Sequence, residues 1–326
     1  MSLLETLRRG AARWTARGFD LLCPPRCGLC GADVGSAMVG DAGLVCAACE
    51  PALVADRPRC LGCGAVGDPA GCGHCRPRTR PCDGLAVLGP YADELREAVC
   101  AANLRLPAEG LVTLTWGNVS GRSPNGDLIA IKPSGVPYTE MRPEHMVILT
   151  LDGEVVEGEL RPSTDTPTHL ELYRAFPEIR GIVHAHSACA TAFAQARRPL
   201  PCLGTTHADH FAGAVPVTRP LTAAEVSGSY ELATGTVIVE HFRTHHTDPT
   251  AIPGVLVAGH APFTWGATPS KAVDNAVALE AVAHMALLSA QIANPAPLEP
   301  YVLAAHHERK HGRHAYYGQP VEAAEA

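Results

Sequence analysis

The chain has 326 residues, 46% of them apolar, and a formal net charge of −7. That length predicts two domains or one large and one small, with apolar content enough for an ordinary core. The negative charge excludes a general pull towards nucleic acid. The lack of any run of about 18 apolar residues excludes a membrane-spanning helix by composition.

In chain order, residues 3–14 read as a short amphipathic helix (Leu3, Leu4, Leu7, Ala11, Trp14). Arg8, Arg9, Arg13 and Arg17 lie close by, but no continuous apolar stretch follows them, so a secretory signal is not expected and the chain reads as cytoplasmic. Eleven of the 13 cysteines fall in residues 23–100, and only Cys189 and Cys202 come later. Disulfides are rare in a cytoplasmic chain, so such a cluster points to metal. Residues 23–82 are rich in Cys, Gly, Pro and Arg and show no long apolar period, so this segment needs staples to fold.

Four Cys-x-x-Cys pairs supply them. Cys27, Cys30, Cys46 and Cys49 make one four-thiolate site, and Cys60, Cys63, Cys72 and Cys75 make the other. Zinc favours such tetrahedral sites, which leave no position open for chemistry. A redox use of one pair is the alternative, but no βαβ pattern surrounds any of them. His74 is a possible substitute ligand; Cys23, Cys82 and Cys100 read as ordinary thiols.

The stretches Leu21–Gly31, Cys46–Cys49, Arg59–Gly64, Cys72–Cys75 and Leu88–Tyr91 resemble the N-terminal double zinc ribbon of the ComF competence-protein family. In that family a phosphoribosyltransferase-like domain follows. None is legible here, so the resemblance implies only a ribbon and its eight thiolates. Residues 1–82 hold ten Arg, no Lys and seven acidic residues, 10 − 7 = +3. That is sparse for phosphate binding, and aromatic residues are few. A nucleic-acid partner is not expected, and a protein contact or a purely structural role is the better reading.

From about Asp93 the texture changes to alternating strand and helix patterns, which sets the domains at 1–92 and 93–319, with 320–326 a disordered tail. Asp127–Ile131 reads as a strand running into a Lys-Pro-Ser-Gly loop. Met146–Leu151 and Glu154–Glu157 flank the hairpin signal Asp152-Gly153. Thr166 and Pro167 read as N-cap and first residue of a helix through Ala175. Gly181–His186 is a predicted strand, and Ser187 caps a helix through Arg197. Thr236–Phe242 and Val255–His260 are predicted strands, and Thr268-Pro269 opens a helix to about Ile292. The fold class is α/β or α+β.

The sharpest constellation is His184-Ala-His186. On a strand, i and i+2 share a face, so both imidazoles can reach one ion. His260, placed where a strand ends, is a third nitrogen, and three such ligands with an open position is the pattern of a catalytic metal site. Asp165 can add a carboxylate oxygen. Chance spacing among 16 histidines is the bland alternative for the pair taken alone.

Asn103–Pro107, Leu111–Ser120, Ile131–Val136, Ser163–His169, Gly181–Ser187, Gly204–Asp209, Pro253–Val257, His260–Gly266, Lys310–Gly312 and Ala315–Gln319 resemble the L-ribulose-5-phosphate 4-epimerases of the class II aldolase superfamily. The resemblance implies a central, mostly antiparallel sheet flanked by helices, and a homotetramer with active sites at subunit interfaces. It implies a catalytic zinc on His184, His186 and His260 with Asp165 beside them. The reaction it implies is retro-aldol cleavage of C3–C4 and re-addition to the other face of the aldehyde. Asp209 and Tyr317 would be the two acid/base groups, Tyr317 acting from a neighbouring subunit with His306 supporting it. Asn118, Lys132, Ser134, Gly135, Ser163 and Thr164 would cradle the phosphate, as loop amides, hydroxyls and one Lys suit a dianion; Thr164 stands where serine is the family form. Two rivals stay open: a class II aldolase that stops after cleavage, of the L-fuculose-1-phosphate kind, and a zinc-ribbon adaptor with an inactive second domain.

Overall fold

The computed structural model describes residues 88–312 and 315–316. The N-terminal helix, all eight paired thiolates, Tyr317 and the tail 320–326 lie outside the described residues. Nearly all of the described residues belong to the second of the chain's two compact units, Ala92–Ala326.

A seven-stranded sheet organises this unit, in the order β4-β3-β2-β1-β5-β7-β6. The strands are β1 (Gly117–Arg122), β2 (Leu128–Ile131), β3 (Val147–Thr150), β4 (Val155–Glu157), β5 (Gly181–Ala185), β6 (Gly254–Leu256) and β7 (Pro262–Gly266). Every pairing is antiparallel. The central strands are buried along their length because helices cover both faces, so they read as continuous apolar or small-residue runs rather than as alternating ones.

The helices are α1 (Leu88–Ala108), α2 (Thr166–Ala175), α3 (Ala188–Gln195), α4 (Thr205–Ala208), α5 (Ala223–Ser227), α6 (Tyr230–Thr244), α7 (Pro269–Ile292) and α8 (Pro300–His311). Helices α2 and α6 pack on one face around Tyr173, Phe176, Ile238, Phe242, Phe263 and Trp265. Helices α3 and α7 pack on the other around Ala190, Ala194, Leu256, Leu279 and Ala283. The N-terminus of α7 lies so close to the sheet that a Cβ on Gly181 would collide with the Thr268 carbonyl, and one on Gly266 would come within 2.9 Å of the Ala272 amide nitrogen. By length and composition α7 resembles a membrane span. It is a core helix, however, with Ala272, Val273, Ala276, Leu279 and Ala283 buried on the sheet and Lys271, Asp274 and Glu280 along its length.

Most of the expected elements are present, with three corrections. Thr236–Phe242 belongs to α6 and is not a strand. Its β-branched residues give strand propensity, but Gly235, Ile238, Val239 and Phe242 recur at helical spacing, and burying that stripe against α2 decides the conformation. The strand expected at Val255–His260 ends at Leu256, and Val257–His260 is a turn, with Gly259 at φ +76°. Asp165, not Thr166, occupies the N-cap of α2; Thr166 is already helical, and its hydroxyl donates to the Ser163 carbonyl at 2.6 Å. Ser187 does hold the N-cap of α3, but its side chain makes no cap bond. The Glu280 carboxylate of α7 accepts from the amides of Cys189 and Ala190 instead, at 2.8 and 2.9 Å.

Candidate active site

Alternation along β5 turns Ile182 and His184 to one face of the sheet. His184 is buried and stacks on Phe263, with ring centroids 4.2 Å apart and planes 16° apart. Its Nδ1 donates to the Pro262 carbonyl at 3.0 Å, which fixes the tautomer and leaves Nε2 as a donor for a metal. His186 follows just beyond the strand. His260 arrives from the β6–β7 turn that the sheet lays beside β5. The three rings form a triangle with centroid separations of 4.8, 4.9 and 5.0 Å, and one ligand atom from each falls within 4.8 Å of the others.

Burial, then the neighbouring imidazoles, pushes His260 down to about 4 and depresses His186 as well. Neutral imidazoles are the form a divalent ion needs, so this set of three nitrogens fits one. Asp165 stands outside that tight group. Burial opposes its ionisation, but His184, His169 and the Asn118 amide together hold it below the usual carboxylate range. The Asn118 side-chain amide donates to Asp165 Oδ2 at 2.6 Å and to Ser163 Oγ at 3.1 Å.

Asn118 thus ties the histidine cluster to the expected phosphate cradle, since it pairs with His184 in the β1–β5 register. Lys132, at the end of β2, and Ser163 are buried and joined by a bond from the Ser163 amide to the Lys132 carbonyl at 2.9 Å. Ser134, Gly135 and Thr164 lie exposed at the rim. Gly135 has φ +72° and open space where a Cβ would stand, so the glycine answers to backbone conformation rather than to crowding. Asn118 Oδ1 is buried without a hydrogen-bond partner among the described residues, an acceptor left available beside Asp165.

Asp209 is the C-cap residue of α4, and helix α8 closes on it. Arg309 grips its carboxylate through Nε at 3.0 Å and Nη2 at 2.6 Å, His306 Nδ1 donates at 3.1 Å, and Lys310 Nζ lies 3.8 Å away. Partial burial would raise its pKa, but these partners, Arg309 foremost, hold it below the ordinary value. His306, expected beside Tyr317, is therefore an Asp209 partner in the described residues.

Sequence reading passed over three side chains. The Tyr230 hydroxyl lies 3.3 Å from His260 Nδ1. His169 is fully buried under the site, its Nδ1 2.7 Å from Ser120 Oγ, and burial drives it down to about 3. Arg309 is the third. His169 left a signal as the end of the Ser163–His169 stretch, and Arg309 in the basic run Arg309-Lys310-His311; Tyr230 stands far from the histidines in sequence, and no local pattern links them.

Residues 97–287 match the family model described as the Class II Aldolase and Adducin N-terminal domain. The chain is 50% identical over 228 residues to the L-ribulose-5-phosphate 4-epimerase UlaF of Salmonella paratyphi B, a match that covers 69% of this chain and 99% of that protein. The protein of the same name from Salmonella typhi matches to the same extent. Among solved structures, an L-fuculose 1-phosphate aldolase superposes with a TM-score of 0.57 at 24% identity, over 66% of this chain and 95% of that one. The L-fuculose 1-phosphate aldolase from Glaciozyma antarctica PI12 gives 0.55 at 20% identity, over 72% and 86%. At these identities the superpositions speak for the fold alone.

Proposed function

The chain belongs to the class II aldolase and adducin N-terminal domain family, and on that premise we propose that it is an L-ribulose-5-phosphate 4-epimerase, forming D-xylulose 5-phosphate. The observation that carries this reading is the triangle of His184, His186 and His260, joined through Asp165 and Asn118 to the buried Lys132 and Ser163. A zinc ion held by the three histidines, with Asp165 beside it, would supply Lewis acidity where charge develops on the ketose oxygens.

The chain's own residues then have distinct tasks. Asn118, Lys132 and Ser163, with Ser134, Gly135 and Thr164 at the rim, bind the phosphate and so fix C4 over the histidines. A base takes the C4 hydroxyl proton as the C3–C4 bond breaks, giving the C1–C3 enediolate and glycolaldehyde phosphate. The aldehyde turns over, the enediolate adds to its other face, and an acid on that side returns a proton to the new C4 oxygen. Asp209, held ionised by Arg309 and His306, is suited to the base role, and Tyr317 to the acid role. Tyr317 would come from a neighbouring subunit of a homotetramer. Incubation of zinc-loaded protein with L-ribulose 5-phosphate should yield D-xylulose 5-phosphate without accumulation of free aldehyde. The second reading, an aldolase, rests on the superposition with L-fuculose 1-phosphate aldolase; stoichiometric release of glycolaldehyde phosphate with no xylulose product would establish it in place of the epimerase. The inactive-adaptor reading gives neither product.

For residues 1–92 the reading remains a double zinc ribbon on the eight paired thiolates. It predicts about three zinc ions per chain in native protein, two of them resistant to mild chelation. A single exchangeable ion would remove the ribbon from the assignment.

A further inference from the structure

Lys132 presents an unusual electrostatic situation. Its side chain is buried at the end of β2, yet among the described residues its only hydrogen bond goes to the carbonyl of the next residue, Pro133, at 3.1 Å. A buried ammonium with one neutral hydrogen-bond partner is costly. Attraction to the Asp165 carboxylate offsets part of that cost. Tyr138, on the short 3-10 turn Tyr138–Glu140, offers the ammonium a further partner: the Lys132 nitrogen stands over its ring, 5.3 Å from the centroid. That is within the range at which the negative face of an aromatic ring attracts a cation.

Tyr138 also makes a second, independent contact. Its hydroxyl donates to the Gly117 carbonyl at 2.8 Å, and both ends of that bond are buried. Gly117 directly precedes Asn118, and no side chain fits there, because a Cβ would stand 2.7 Å from Val112 and 3.0 Å from the His184 carbonyl. One tyrosine therefore touches the two strands that carry the buried cation and the buried amide of the cradle.

We infer that Tyr138 is the positioning residue of the phosphate cradle: its ring keeps Lys132 charged and aimed, and its hydroxyl sets the start of β1 so that Asn118 meets the same ligand. The inference rests on the reading of Lys132 and Asn118 as phosphate-binding residues. A ring face suits this post better than a carboxylate in contact with the ammonium would. Such a carboxylate would neutralise Lys132 and repel the arriving dianion, whereas the ring stabilises the ammonium and leaves its N–H groups to the phosphate.

The test varies the ring face without varying its shape. Tyr138→Phe is the baseline, since it removes the hydroxyl and keeps the ring. Fluorinated phenylalanines at the same position, up to the pentafluoro form, weaken the face stepwise at nearly constant volume. With zinc-loaded protein, the KM for L-ribulose 5-phosphate and the inhibition constant of inorganic phosphate should rise together along the series, by about tenfold at its end. The kcat should change by less than about twofold, a split that a general loss of packing would not give. Constant KM and constant phosphate inhibition along the series would overturn the inference. Lys132→Ala separates this from failure of the underlying reading. If it weakens phosphate inhibition while the fluorinated series does not, Tyr138 has no positioning role. If Lys132→Ala itself leaves phosphate inhibition unchanged, the cradle assignment is wrong and the inference falls with it.

Discussion

At the scale of single residues, the site depends on partners that set protonation and tautomer. Arg309 and His306 hold Asp209 below the usual carboxylate range against the opposing effect of burial. A depressed carboxylate is in its base form down to low pH, and losing the partner lets its pKa rise. Arg309→Met should therefore move the acid limb of the kcat/KM profile to higher pH, with rates near neutral pH retained better than those at pH 5. A profile with an unmoved acid limb would show that Asp209 does not titrate in the reaction. Tyr230 plays a comparable part for His260, whose Nδ1 it meets at 3.3 Å. A partner on the second ring nitrogen of a metal-binding histidine typically contributes about 10- to 100-fold in affinity. Tyr230→Phe should weaken zinc binding by that order in competition with a chromogenic chelator, with the fold unchanged by circular dichroism. His186→Asn, which removes a ligand, should lose the metal outright.

At the scale of elements, the pairing of α2 with α6 supports the histidine face of the sheet. Gly235 makes that close approach possible: a Cβ there would lie 2.8 Å from Glu171 Cβ and 3.2 Å from Thr168 Cα. Two effects compete on substitution. Replacing glycine inside a helix gains up to about 1 kcal/mol of propensity, and overpacking a helix contact costs about 1–3 kcal/mol. Valine adds more bulk and gains less propensity than alanine, so the clash should win. Gly235→Val is expected to lower the urea midpoint by an amount equivalent to about 2 kcal/mol. An unchanged or raised midpoint would mean that the two helices can separate without loss.

At the scale of the whole molecule, Met285, Leu288 and Ile292 leave the end of α7 exposed and apolar, and Tyr301 of α8 is 74% exposed. Exposed apolar side chains of that kind suit burial against another subunit, which the proposed homotetramer, with Tyr317 completing a neighbour's site, requires. Tyr317→Phe should lower epimerisation by about 100- to 10,000-fold without loss of zinc. Mixing inactive Tyr317→Phe chains with inactive His186→Asn chains should restore part of the activity, because some interfaces then join an intact metal site to an intact tyrosine. If the subunits demonstrably exchange and no activity returns, Tyr317 does not act across an interface.

The sequence by itself determined whatever is local in the chain. His184 and His186 share a face because a strand has a period of two, and the hairpin at Asp152-Gly153 and the start of α7 at Thr268-Pro269 come from turn and cap chemistry. The histidine triad was legible because each of its members sits in a dense motif, whereas Asn118 and Ser163 were grouped only through the family resemblance and their hydrogen bond came from the fold. Tertiary structure alone decided the rest. Thr236–Phe242 has strand-forming residues, yet it is helical because only a helix lays Ile238, Val239 and Phe242 against α2. Tyr230 meets His260 and Arg309 clasps Asp209 because the sheet and its covering helices bring distant segments within a few ångströms, and Tyr138 receives nearby Lys132 because its turn folds back onto the start of β1. None of these pairings has a sequence spacing, since their geometry is fixed by packing rather than by the period of any one element.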